Sequence, residues 1–174
     1  MKELAQNAPA TFYSKTNQLS IGKEGETNDM VSQLSILSQE GGTNAFISQI
    51  FPVLLDPQPI VRVCAADALA ECLEVIVDPS RKHHSTTRTL CKVYSFIMKV
   101  FNEKNTSKKR NHHDNARIEA AQHAALLVIG DLLELPLDFM LPRFDEACKA
   151  ALSLMDHAKA LIQVEVIRLL VSKT

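Results

Sequence analysis

Asp56-Pro57-Gln58-Pro59-Ile60-Val61-Arg62-Val63-Cys64-Ala65-Ala66-Asp67-Ala68-Leu69 reads as a tight turn feeding a helix. Asp56 and Pro57 break the apolar run before them. Pro59 fits the first helical turn, where a missing amide N–H costs little. Val61, Ala65, Ala68 and Leu69 then recur at helical spacing on one side,. Alanines in that stripe let a neighbouring helix approach closely. A turn of this kind followed by a small-residue helix face is what a stacked helical-hairpin repeat requires, and such repeats present surfaces rather than reaction pockets.

The bulk properties agree with a helical, globular chain. The 174 residues suffice for one domain with a real core,. Apolar residues make up 46% and charged residues 22%, which disfavours disorder,. The net charge of −1 gives no global attraction to nucleic acid or to an anionic membrane,. Only 5 glycines and no tryptophan are present, and scarce glycine disfavours a turn-rich β architecture. The apolar runs are too short and interrupted for a membrane span, and Met1–Asn7 lacks the apolar core of a signal peptide,. Cys64, Cys72, Cys91 and Cys148 form no Cys-x-x-Cys pair, and most sit in helical apolar patterns, as buried thiols do,. The expectation is a reducing compartment, cytoplasm or nucleus.

Outward from the opening stretch, the pattern gives an all-α chain with no strand. Residues 1–43 read as a helix end followed by a polar, partly irregular segment, with a short helix at Met30–Ser38,. Residues 44–174 read as an α-solenoid of about three antiparallel helical hairpins, over 44–77, 86–133 and 142–171. In the first, Phe46, Ile47, Ile50, Phe51, Leu54 and Leu55 form a stripe, and Pro52 predicts a kink or a late start. The second pairs a helix over 86–103 with one over 116–133, capped by Asp114 or Asn115,. Their inner stripes are Leu90, Val93, Tyr94, Ile97, Met98 and Phe101, then Ile118, Ala121, Ala125, Val128, Ile129 and Leu132. The third starts near Pro142, with Phe144, Ala147, Cys148, Ala151, Leu152 and Met155 inside. Its turn is Asp156–Lys159, and Leu161, Val164, Ile167 and Leu170 line the last helix. Pro59–Val63 aligns with Ala160–Val164 at an offset of 101 residues, and Leu69 then falls on Leu170. A weaker echo at an offset of 55 matches Arg62 and Ala65 with Arg117 and Ala120.

The run Asp56–Leu73 resembles a HEAT repeat, and in detail resembles the N-terminal HEAT region of the target-of-rapamycin (TOR) serine/threonine protein kinases. Three further blocks are similar in the same order: Lys2–Ala5 with Pro9–Tyr13, Pro142–Glu146, and Lys159–Leu170. The likeness stops at Leu170, where the family continues with Pro-Arg-Leu and this chain reads Val171-Ser172-Lys173-Thr174. The resemblance therefore implies a piece of a longer protein, without the rapamycin-binding region or the kinase domain. It implies a cytoplasmic scaffold for TOR-complex subunits of the Raptor and Rictor type, or for TOR itself as a dimer. It implies no catalytic residue, cofactor, metal, nucleic acid, membrane insertion or small-molecule substrate for this segment. A HEAT or armadillo-type scaffold of another system, such as a nuclear transport receptor or a phosphatase scaffold, is the alternative.

Individual residues add little chemistry. Arg62 is expected to lay its stem along the stack and pair with Asp67 or Asp56. The doublets His83-His84 and His112-His113 fall in expected loops without a third ligand at metal spacing,. Beside them, Arg81, Lys82, Lys108, Lys109 and Arg110 form two basic loops. The plain reading is solvated charge; the sharper one is a basic rim that meets an acidic protein partner. Cys91 with His84 lacks an orienting third group, and no phosphate-cradling glycine loop is present,. Tyr94, Phe96 and Phe101 are expected to fill core.

Overall fold

The computed structural model describes residues 45–77, 86–102, 112–135 and 138–172, and all their regular elements are helical. The expected features of residues 1–43, including the helix at Met30–Ser38, fall outside the described residues. Six α-helices follow: α1 (Ala45–Val53), α2 (Pro59–Val77), α3 (Thr86–Asn102), α4 (His112–Glu134), α5 (Phe144–Leu152) and α6 (Ala160–Ser172). A 3-10 turn over Leu141–Arg143, with Pro142 at its start, leads into α5.

The helices stack in two layers. In one, α2 packs against α4 and α4 against α6; in the other, α3 packs on α5. Within each hairpin α1 meets α2, α3 meets α4 and α5 meets α6. One core runs through the stack, with Ile47, Phe51, Leu69, Ile97, Ile129 and Ile162 among its fully buried side chains. Full burial of each such apolar side chain stabilises the fold by about 1.5–3 kcal/mol. Phe51 meets the edge of Phe96 at 5.4 Å, tying α1 to α3.

The opening stretch folds as its residues dictate. Asp56 Oδ1 accepts the Gln58 N–H at 2.8 Å, and the Gln58 carbonyl accepts the Arg62 N–H at 3.3 Å, so Pro59 opens α2,. The same turn recurs 101 residues later with a different side chain. His157 Nδ1 accepts the Lys159 N–H at 3.1 Å, the Lys159 carbonyl accepts the Gln163 N–H at 3.3 Å, and Ala160 opens α6. The offset read in the sequence thus recurs in these two bonds, although the i→i+3 bond from the Ile162 N–H to the Lys159 carbonyl (3.1 Å) has no counterpart at Val61. At the offset of 55 the echo is looser: Ala120 is buried like Ala65, but Arg117 is only half-buried.

Several expectations need correction. Pro52 does not delay α1, which runs through it and closes at Val53; i→i+3 bonds from Leu55 N–H to the Pro52 carbonyl (3.2 Å) and from Asp56 N–H to the Val53 carbonyl (3.1 Å) then tighten the chain,. Helix α4 begins at His112, so Asp114 and Asn115 lie inside it rather than capping it. Its expected stripe is buried, but Ala120, Gln122, His123, Ala124 and Leu126 are buried as well. A helix with neighbours on several sides buries more than one stripe. On α6 the buried residues are Ile162, Val166 and Leu169; Leu161, Val164 and Ile167 are exposed, and Leu170 is half-buried. Phe144 and Leu152 of α5 are exposed too. Among the described helices the third hairpin packs against α3 and α4, and the second apolar stripe of α6, Leu161, Val164 and Ile167, is left exposed.

Candidate functional site

Of the residues singled out as a basic rim, Arg81, Lys82, Lys108, Lys109 and Arg110 lie outside the described residues, as do His83 and His84. His112 and His113 were expected in a loop, but the backbone there forms the first turn of α4. Among the described residues no group of three His, Cys, Asp or Glu side chains is placed to hold a metal ion. All four cysteines are free; Cys72 is buried, Cys91 and Cys148 are half-buried, and Cys64 is exposed. Burial pushes the Cys72 thiol up to about 11, so it stays a neutral apolar group,. No described helix is long and apolar enough to cross a membrane.

Arg62 is placed differently from expectation. Its partner is not the Asp56 or Asp67 carboxylate. Its Nη1 donates to the backbone carbonyls of Asp56 (2.6 Å) and Pro57 (3.0 Å), and its Nε donates to His123 Nδ1 on α4 (3.0 Å). Arg62 and His123 are both almost fully buried. Burial lowers the Arg62 pKa while the nearby Asp56 charge opposes the shift. Burial, and then the Arg62 charge, lower His123 to about 4, so it is a neutral acceptor,. This cluster locks the α1–α2 turn onto the second hairpin. Every bond it makes is internal, which assigns it to the architecture.

Among the described residues, open surface of two kinds is present. One is apolar. A shallow groove of about 410 Å³ between α1 and α2 is lined by Ile50, Val53, Ile60, Val61 and Cys64. At the opposite end, Leu161, Val164, Ile167 and Val171 are exposed along one side of α6.

The other is a half-open groove of about 710 Å³ where α3, α4 and α5 meet. Met98, Phe101 and Leu154 give it an apolar lining, and Gln122, Glu146 and Lys149 a polar one. Glu146 Oε2 accepts the Tyr94 hydroxyl at 2.6 Å. Burial and then this acceptor raise the Tyr94 pKa well above its ordinary value. Arg143 braces the arrangement: it donates to the Phe139 carbonyl at 2.7 Å, and its guanidinium lies 4.0 Å from the Phe139 ring centroid and 5.7 Å from that of Tyr94,. Lys149 is paired with Asp145 one turn earlier on α5. Gln122 is 3% exposed, and its Oε1 has no hydrogen-bond partner among the described residues.

Sequence reading missed Gln122, His123 and Glu146. The signal for the first two was a polar pair inside Ala120-Ala121-Gln122-His123-Ala124-Ala125, a run otherwise small and apolar. Polar groups there must either find partners or wait for one.

The comparisons with known proteins are sparse. No protein-family profile matches the chain. No solved structure matches it either. Among curated proteins, a serine/threonine-protein kinase TOR from Arabidopsis thaliana is 29% identical over 125 residues. The match covers 72% of this chain and 4% of that protein.

Proposed function

We propose that this chain is a protein–protein interaction scaffold: a HEAT-type solenoid segment related to TOR kinases, acting in the assembly of a TOR-type complex that controls growth in response to nutrients. The observation that carries this reading is the recurrence, at an offset of 101 residues, of one side-chain-capped turn that opens a helix, in a stack of helical hairpins with exposed apolar residues at both of its described ends. Repeats of this kind bury their inner faces against each other and offer their outer faces and rims to partners. The distant likeness to a TOR kinase supports the assignment to that system. The segment carries no kinase chemistry in this reading. Its partners are subunits of the Raptor or Rictor type, or a second TOR chain, and its compartment is the cytoplasm.

The test is capture of purified Raptor-type and Rictor-type subunits by the folded chain. Retention of either subunit supports the reading. Folded chain that retains neither, or that instead binds a nuclear-transport GTPase, overturns it.

A further inference from the structure

We infer that the two ends of the stack are complementary, so that a second copy of this chain docks head to tail, with the outer flank of α6 of one copy seated in the α1–α2 groove of the next. The inference goes beyond the scaffold reading and does not depend on the likeness to TOR kinases.

The offset of 101 residues puts α2 and α6 in register, residue against residue. Helix α4 packs between them, so it follows α2 in the layer and precedes α6. On α6 the buried residues are Ile162, Val166 and Leu169, and a Cβ at Gly130 of α4 would lie 3.5 Å from Leu169 Cδ1. That flank of α6 is therefore turned to the helix before it. Its counterparts on α2 are Val61, Ala65 and Ala68. All three line the α1–α2 groove, and Val61 and Ala68 are only half-buried. The groove thus lies on the flank that receives a preceding helix.

The other flank repeats this in reverse. Arg62 bonds His123 and marks the side of α2 turned to α4. On the adjoining face Ala66 is buried, and Val63 and Ala70 are half-buried. Their counterparts on α6 are Ile167, Val164 and Val171, and all three are exposed. Leu161 does not belong to this set, since its counterpart Ile60 is exposed on α2 as well.

The two open flanks are therefore the two halves of one kind of interface, which α2 with α4 and α4 with α6 already make inside the chain. Continuity with that layer gives the direction of stacking. The shapes agree as well. Cys64, Ala65 and Ala68 give the groove small walls, which leave room for the branched side chains of Val164 and Ile167,. The occupant of the groove must be a helix with apolar residues at i, i+3 and i+7, and Val164, Ile167 and Val171 supply that spacing in this chain,. Two different flanks in contact make a heterologous interface, which leaves one free flank at each end and propagates.

The experiment is sedimentation velocity of the 174-residue chain and of two one-sided variants, under reducing conditions so that Cys64 forms no disulfide. Cys64→Glu blocks the groove and Ile167→Glu blocks the α6 flank. Both positions are exposed, so the fold should survive, as checked by helical circular dichroism,. A carboxylate buried in either apolar face is strongly unfavourable. The unsubstituted chain should form a ladder of species that grows past the dimer with concentration. Each variant alone should stay a monomer. An equal mixture should form a dimer and stop there, because only one intact groove and one intact α6 flank remain to meet. If Cys64→Glu self-associates as the unsubstituted chain does, α6 pairs with itself and the proposal falls. It falls equally if Ile167→Glu self-associates undiminished, if the unsubstituted chain stops at a dimer, or if the mixture stays monomeric, which would mean that the groove is closed to a second copy.

Discussion

Replacing Arg62 with methionine would strand the carbonyls of Asp56 and Pro57 and the ring nitrogen of His123. Methionine keeps the stem, so the loss is hydrogen bonds rather than volume. The expected cost is about 2–4 kcal/mol, read as a lower midpoint in urea unfolding with an unchanged m-value. His123 makes the same cluster sensitive to acid. Its folded pKa lies near 4, below the ordinary value of 6.5. Its contribution is therefore fully present above about pH 6.5 and is lost as pH falls through about 4, because the unfolded chain takes the proton first. On protonation Nδ1 ceases to accept, and the imidazolium faces the Arg62 charge. The expected loss over that window is on the order of 2–3 kcal/mol. His123→Leu should flatten that part of the stability–pH curve, measured by denaturant titration at several pH values. Arg62 itself was visible in the sequence as a residue with a structural task. Its partner was not, because the α2–α4 contact spans 61 residues and no local spacing encodes it.

At the scale of the element, α2 was legible almost completely. Proline fixes its first turn, and its small apolar face recurs without interruption,. Helices α4 and α6 were harder for opposite reasons. Helix α4 is packed on more sides than one stripe can serve, so its alanines conceal a second buried face. Helix α6 carries two apolar stripes, Leu161-Val164-Ile167 and Ile162-Val166-Leu169. Periodicity cannot rank two stripes of equal strength; the placement of α4 does. Gly130 lies inside α4, where a Cβ would meet Leu169 Cδ1 of α6 at 3.5 Å, an ordinary contact. Gly130→Ala should therefore stabilise the chain by about 0.5–1 kcal/mol, chiefly by restricting the unfolded state. A thermal midpoint raised by a few degrees is the expected reading; a lowered one would mean that α4 and α6 approach more closely than 3.5 Å allows.

For the whole molecule, the exposed apolar side of α6 governs behaviour in solution. Val164 is 57% exposed and Ile167 49%, and Leu161 and Val171 extend the same strip. Contiguous apolar surface of this kind drives association. The chain should self-associate with rising concentration in sedimentation velocity. The triple change Leu161→Gln, Val164→Ser and Ile167→Gln should return it to a monomer without loss of helical signal, since none of the three is buried. A wild-type chain that stays monomeric across the accessible range would contradict this.

Helix α4 rests on α2 along one flank and α6 along the other, with α3 above it. It works as the keel of a small hull. Strain entering at either end reaches the far planks chiefly through that timber, with the α3–α5 layer as a second rail, so fraying it would loosen bow from stern more than the loss of any other rib.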